Sequence, residues 1–191
     1  GQEAIDGIEQ ALTKLQRGDG LEGLILDLRA SNQGAPAVVI DALATFVSGE
    51  VGEYHSRIGN EPIRIQENSL SDDYADVPMV VLVDGETEAD AEQLAAILQD
   101  QGRATIVGTQ TSGQTHLATN FDFDEGSRLQ IVSYGFQLPS GETLEGVGVT
   151  PDVVVEADWL AYPESEDPFV TAALEVLAAE APPAVAPGST G

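Results

Sequence analysis

The sequence predicts an α/β fold, with a mixed sheet that is parallel in part, flanking helices and a β-hairpin region. Three observations carry that expectation. Apolar runs of strand length (21–29, 77–84 and 104–108) alternate with segments whose apolar residues recur at helical spacing, the pattern of strand–helix–strand units. Residues 116–141 instead alternate apolar and polar residues around turn signals, the pattern of antiparallel hairpins. At 191 residues and 42% hydrophobic content, the chain is long and apolar enough to bury one sizeable core.

In order along the chain, Ile5, Ile8, Leu12 and Leu15 sit at helical spacing within 2–17, and Gly18 and Gly20 end that helix. "LEGLILDLR" (21–29) is apolar almost throughout and reads as a central strand. "APAVVIDALATFVSG" reads as a helix, with Pro36 tolerated in its first turn. "GEYHSRIGNEPIRIQ" reads as two strands around a Gly59–Asn60 turn, and "SLSDDYAD" as a polar loop. Strand 77–84, helix 88–101 and strand 104–108 follow, then the loop "TQTSGQT". The hairpin region 116–141 has turn signals at Glu125–Gly126 and Ser140–Gly141, and "PDVVVE" is a last strand. A closing helix starts with Asp167 as N-cap and Pro168 at its first position. Residues 1–181 form one core domain on this reading, and 182–191, rich in Pro, Ala and Gly, form a tail or linker.

There are 33 acids against 7 lysines and arginines, for a net charge of −26, and Lys14 is the only lysine. Such a surface repels nucleic acid and anionic membranes. High salt screens its self-repulsion, so a halophilic source and an acidic secreted protein both account for it. Cysteine is absent, which removes disulfides, thiol catalysis and Cys-ligated metal. No apolar run reaches membrane-spanning length, so no insertion of this segment into a membrane is expected, and Gly1–Gln2–Glu3 does not begin a signal peptide.

The motifs that suggest chemistry are incomplete. "GTQTSGQT" (108–115) approaches the phosphate loop, but Gln114 stands where a lysine must reach the phosphates, and a strand-like segment follows where a helix is needed. Asp122, Asp124 and Glu125 cluster without the ligand spacing of a calcium loop, so no metal or other cofactor is expected. His55 and His116 lie far apart; His116 is near Ser112, which raises a Ser–His pair, yet no nucleophile-elbow pattern surrounds Ser112. The turn "DGETEAD" (84–90) joins strand to helix, where α/β enzymes often place a nucleophile, but Thr87 is its only hydroxyl. Helix capping is the expected role of Thr87, with Glu88 and Asp90 favouring the helix N-terminus through its dipole.

Several segments resemble one family. "GLEGLILDLRASNQGA" is similar to the "GLILDLRGNPGG" segment of the tail-specific, or C-terminal-processing, serine peptidases (peptidase family S41). "PMVVLVDGETEADAEQLAAILQDQGRATIVGTQTSGQT", "PSGETLEGVGVTPDVVVE" and "DPFVTAALEVL" match further stretches of that family. The resemblance covers most of residues 1–180. It implies the family's catalytic core, related to the ClpP and crotonase folds, and a PDZ domain preceding such a core in a longer chain. In the family a serine attacks the peptide carbonyl, a lysine deprotonates it and a glutamine holds the lysine. A backbone oxyanion hole comes from the nucleophile turn and a glycine-rich loop.

Carried over position by position, the resemblance puts the nucleophile at Ala89, the base at Gln114 and its orienting partner at Ala118. The glycine-rich loop becomes Ala30–Ser31–Asn32–Gln33–Gly34, keeping only Gly34 of its glycine pair. A methyl group cannot form an acyl-enzyme, and a carboxamide is not a base at any useful pH. The sequence therefore predicts an inactive relative, a peptide- or protein-binding or scaffolding module. Its partners would be unfolded or C-terminal segments, basic ones above all, recognised by a cleft lined by Gly34, Thr87, Glu88, Ala89, Ser112 and Gln114. Two alternatives are a hydrolase using displaced residues such as Ser112 and His116, and a module for small hydrophobic ligands. The resemblance also implies a location outside the cytoplasm.

Overall fold

The computed structural model describes residues 2–15, 21–32, 36–66 and 74–180. The expected helix stop at Gly18 and Gly20, most of the polar loop 69–76, Gln33–Gly34 and the boundary at 181–182 lie outside them. The elements run α1 (Gln2–Leu15), β1 (Leu24–Asp27), α2 (Pro36–Leu43), β2 (Gly49–Ser56), β3 (Gly59–Ile65), β4 (Met79–Val83) and α3 (Asp90–Asp100). Then come β5 (Thr105–Gly108), β6 (Leu117–Asp122), β7 (Arg128–Gln137), β8 (Val153–Val154) and α4 (Pro168–Glu180). Two single-turn 3₁₀ helices, Trp159–Ala161 and Glu164–Glu166, precede α4.

The mixed character divides between two sheets. Strands β1, β4, β5 and β8 form a parallel sheet in the order β1-β4-β5-β8, and the antiparallel strands form a second in the order β3-β2-β7-β6. Strand β4 shows why its apolar run lacks alternation: all five residues are buried. Met79, Val81 and Val83 enter the larger core with Leu94, Ile97 and Leu98 of α3 and Phe136 of β7. Val80 and Leu82 face the other way, against Phe169 and Ala173 of α4. Each such side chain contributes roughly 1.5–3 kcal/mol by leaving water, so the β4–α3 unit is anchored from both faces.

Two expectations need correction. Among the described residues the 21–29 run is not a central strand: β1 lies at the edge of the parallel sheet and pairs with β4 alone. An apolar run reports that both faces are covered, and that does not require two strand neighbours. The turn between β2 and β3 falls on Arg57–Ile58, because Ser56 pairs with Gly59. The Ser56 hydroxyl donates to the Gly59 carbonyl and accepts from the Ile58 N–H, and Gly59, at φ 144°, sits just past the turn it was expected to occupy. The hairpin turn at Glu125–Gly126 forms as expected, with Gly126 N–H donating to Phe123 O at 2.8 Å. Asp167 caps α4, accepting from Phe169 N–H at 2.8 Å.

Candidate functional site

Three connections converge beyond the carboxyl ends of β1, β4 and β5, the end where open α/β sheets place their ligands: residues 28–32, 84–89 and 109–116. Asp84 organises them. Its Oδ1 accepts from the N–H groups of Ala30 and Glu86, both at 3.0 Å, and its Oδ2 accepts from Trp159 Nε1 at 3.0 Å. Glu88 N–H donates to Ser31 O at 2.9 Å, and Ser112 N–H to Thr87 O at 3.2 Å. The two loops expected to supply oxyanion donors are thus tied to each other.

Ala89 is the N-cap of α3 and carries φ 51°, ψ −116° with no side-chain cap bond. A non-glycine residue held there costs on the order of 1–3 kcal/mol, and this is the sharp strand-to-helix elbow that exposes a nucleophile. Its N–H donates to Gln114 O at 2.9 Å, so the positions expected for nucleophile and base are brought together, with a methyl group and a carboxamide on them. The Gln114 amide reaches Glu88 Oε1 at 3.3 Å. Ala118 lies on β6, exposed and paired with Val132.

The expected capping roles are not the observed ones. Thr87 is fully buried; its hydroxyl donates to Leu28 O at 3.0 Å and accepts from Asp84 N–H at 3.0 Å. It lies two residues ahead of the cap, so its polar neighbours belong to the strand ends. Asp90 is buried, and its Oδ1 has no hydrogen-bond partner among the described residues. Burial raises the pKa of Asp90. Burial also pushes Tyr54 up to about 12, with the Asp90 and Glu61 charges adding to it. Of the turn's acids, Asp90 retains the favourable place in the first turn of the helix, joined there by Glu92.

Glu92, on α3, carries no sequence signal for what it holds. The side chain is fully buried and accepts from the Thr111 hydroxyl, from Gly113 N–H at 2.6 Å and from Gln114 N–H at 2.8 Å. Gly113, at φ 75°, is required here: a Cβ would come within 2.9 Å of Val147 N. Glu145 was not singled out, yet its Oε2 takes the Thr115 and His116 N–H groups, and its Oε1 lies 2.9 Å from His116 Nδ1. His116 is therefore joined to Glu145, and Ser112 Oγ is buried without a hydrogen-bond partner among the described residues. The Ser112–His116 pair does not form. His55 packs over Gly135 in the other sheet. Asp122 pairs with Arg128 at 2.5 Å, and Glu125 accepts from Ser127. The signals for Asp84 and Glu145 were present only as residue types, because their long-range partners lie 29 to 75 positions away in the chain.

Comparison with known proteins identifies one family. The family model described as Peptidase family S41 matches residues 2–155. A carboxy-terminal-processing protease of Bartonella bacilliformis is 34% identical over 139 residues, which cover 72% of this chain and 32% of that protein. A chloroplastic C-terminal processing peptidase of Tetradesmus obliquus is 31% identical over 153 residues, 80% of this chain and 32% of its own. The chain thus spans about a third of the length of these curated relatives. Among solved structures, a photosystem II D1 C-terminal processing protease superimposes with a TM-score of 0.71 at 28% identity, covering 84% of this chain and 41% of that one.

Proposed function

Because the chain belongs to peptidase family S41, we propose that it is a non-hydrolysing member whose cleft binds peptide segments. The observation that carries this reading is Ala89: the elbow conformation of a nucleophile is retained at φ 51°, and the side chain that occupies it has no oxygen. Gln114 stands beside it and supplies no amine. Losing a nucleophile of this kind costs roughly 10⁶ in turnover. Glu88, half-buried, and Glu86, exposed, border the turn, and with a net charge of −26 they favour basic segments. By the same kinship the domain works outside the cytoplasm; no helix among the described residues is long and apolar enough to cross a membrane.

The test is direct. The unaltered chain is expected to leave unfolded casein intact and to escape labelling by a fluorophosphonate probe. The double substitution Ala89→Ser with Gln114→Lys is expected to gain probe labelling, because the elbow is already formed. Casein cleavage by the unaltered chain that disappears in Ser112→Ala would sink the reading. A peptide library is expected to yield basic ligands at or below millimolar concentration.

A further inference from the structure

A cavity lies beside the elbow, and its chemistry is specific. It encloses about 350 Å³ and is lined by Asp27, Arg29, Trp159, Leu160, Tyr162 and Glu164, with Asp167 and Val170 closing it. Trp159 joins it to the elbow, since its indole N–H donates to Asp84, the residue that opens the turn.

The cavity holds three carboxylates against one guanidinium, and that guanidinium is already satisfied. Arg29 pairs with Asp27 and with Asp167, each at 2.7 Å, and its side chain is 5% exposed. It lies 4.1 Å from the centroid of the Trp159 ring. Burial works against the charge on Arg29, but its bonds to Asp27 and Asp167 outweigh that and raise its pKa. Arg29 therefore stays charged and neutralises part of the wall without turning outward. Glu164 is left over. It is exposed and makes no ion pair or side-chain hydrogen bond among the described residues. Tyr162 and Leu160 stand at the mouth, 47% and 74% exposed, offering apolar surface to an aliphatic stem.

We propose that this cavity binds the arginine side chain of a bound peptide, with Glu164 pairing the guanidinium and Tyr162 stacking on its plane. A flat, forked cation suits a carboxylate beside an aromatic ring better than a compact ammonium does. The inference rests on the peptide-binding reading in so far as the arginine belongs to a peptide; the recognition chemistry itself is local.

The protein carries its own reporter, since Trp159 is its only tryptophan. Nα-acetyl-arginine amide and its uncharged isostere Nα-acetyl-citrulline amide are titrated against Trp159 emission. The arginine probe is expected to give a saturable change that weakens with added salt, and the citrulline probe none. Glu164→Gln is expected to weaken the arginine response roughly fivefold, while Glu125→Gln, at the hairpin tip, leaves it unchanged. Equal responses to the two probes, or equal effects of the two substitutions, overturn the pocket. An arginine-containing peptide and its glutamine counterpart are then compared by calorimetry. Arginine-dependent peptide binding that leaves Trp159 emission untouched overturns the pocket and keeps the peptide reading. An emission response to the arginine probe with no peptide bound keeps the pocket and overturns the peptide reading.

Discussion

The elbow at 84–92 and the hairpin β6–β7 are built on opposite plans. At the elbow Asp84, Thr87 and Glu92 are all buried, and each binds residues distant in sequence. The strained Ala89 survives because its surroundings over-determine it. The hairpin pairs along its length with itself, and β2 meets β7 only at Gly135–Gln137. Phe121, Leu129, Ile131 and Val132 are each between 45% and 59% exposed. The difference teaches that the geometry of the peptidase elbow is held by a polar frame distinct from the groups that would do chemistry. On the proposed reading, the chemistry is gone from Ala89 and Gln114 while the frame persists.

The sharpest way to break this contrast is Glu92→Ala. It strands the Thr111 hydroxyl and the Gly113 N–H in a buried site, at about 1–3 kcal/mol for each unsatisfied group, and also removes the acceptor of the part-buried Gln114 N–H. Urea denaturation is expected to show a loss of roughly 3–5 kcal/mol. A loss below 1 kcal/mol would mean that the elbow does not depend on its polar frame.

Next in size is Asp167→Asn, which removes one of the two charged partners of Arg29; a loss of about 2 kcal/mol is expected. The pH dependence fixes the sign. Burial pushes the Asp167 pKa up, but the bond from Arg29 and those from the Phe169 and Val170 N–H groups outweigh it and leave it depressed. The folded-state pKa lies below the unfolded one, so the contribution is present above the ordinary carboxylate range. It is lost as pH falls through the depressed value. Melting curves of the parent chain should therefore fall more steeply on acidification than those of Asp167→Asn; parallel curves would remove Asp167 from the account.

What the sequence made legible follows the same divide. Strand β4, helix α3, the hairpin turn at Gly126 and the Asp167 cap were readable because each is set by neighbours in the chain. The family motifs pointed to Ala89 and Gln114, and the fold brings their backbones together. The role of Thr87 was misread because capping is a local rule, and the bond that wins reaches Leu28, 59 positions away. The edge position of β1 was misread because burial on two faces looks the same in sequence whether one strand or two lie alongside. Glu145 binding His116 was invisible for the same reason as Asp84 binding Trp159: long-range polar pairs leave no periodic trace.

Ala89→Gly tests the strain itself. Glycine adopts φ near 51° freely but loses more backbone entropy on folding. The relief exceeds that cost, so a net stabilisation of about 1 kcal/mol is expected. A destabilised variant would show that the elbow is relaxed as it stands.

The smallest effect belongs to the hairpin and completes the contrast. Phe121 sits opposite Leu129 and is 48% exposed. A cross-strand pair of this kind contributes about 0.2–1 kcal/mol, and threonine keeps good strand propensity. Phe121→Thr is therefore expected to cost less than 1 kcal/mol, whereas Val81→Thr at a fully buried position should cost several times more, because it puts a hydroxyl into the core. Hydrogen exchange supplies the second readout. Amides of 118–132 should open at lower free energy than those of β4, since a two-stranded ribbon without a covered face is marginal in water. Exchange from the hairpin as slow as from β4 would place both regions in one cooperative unit, and the separation between a rigid frame and a self-paired appendage would fail.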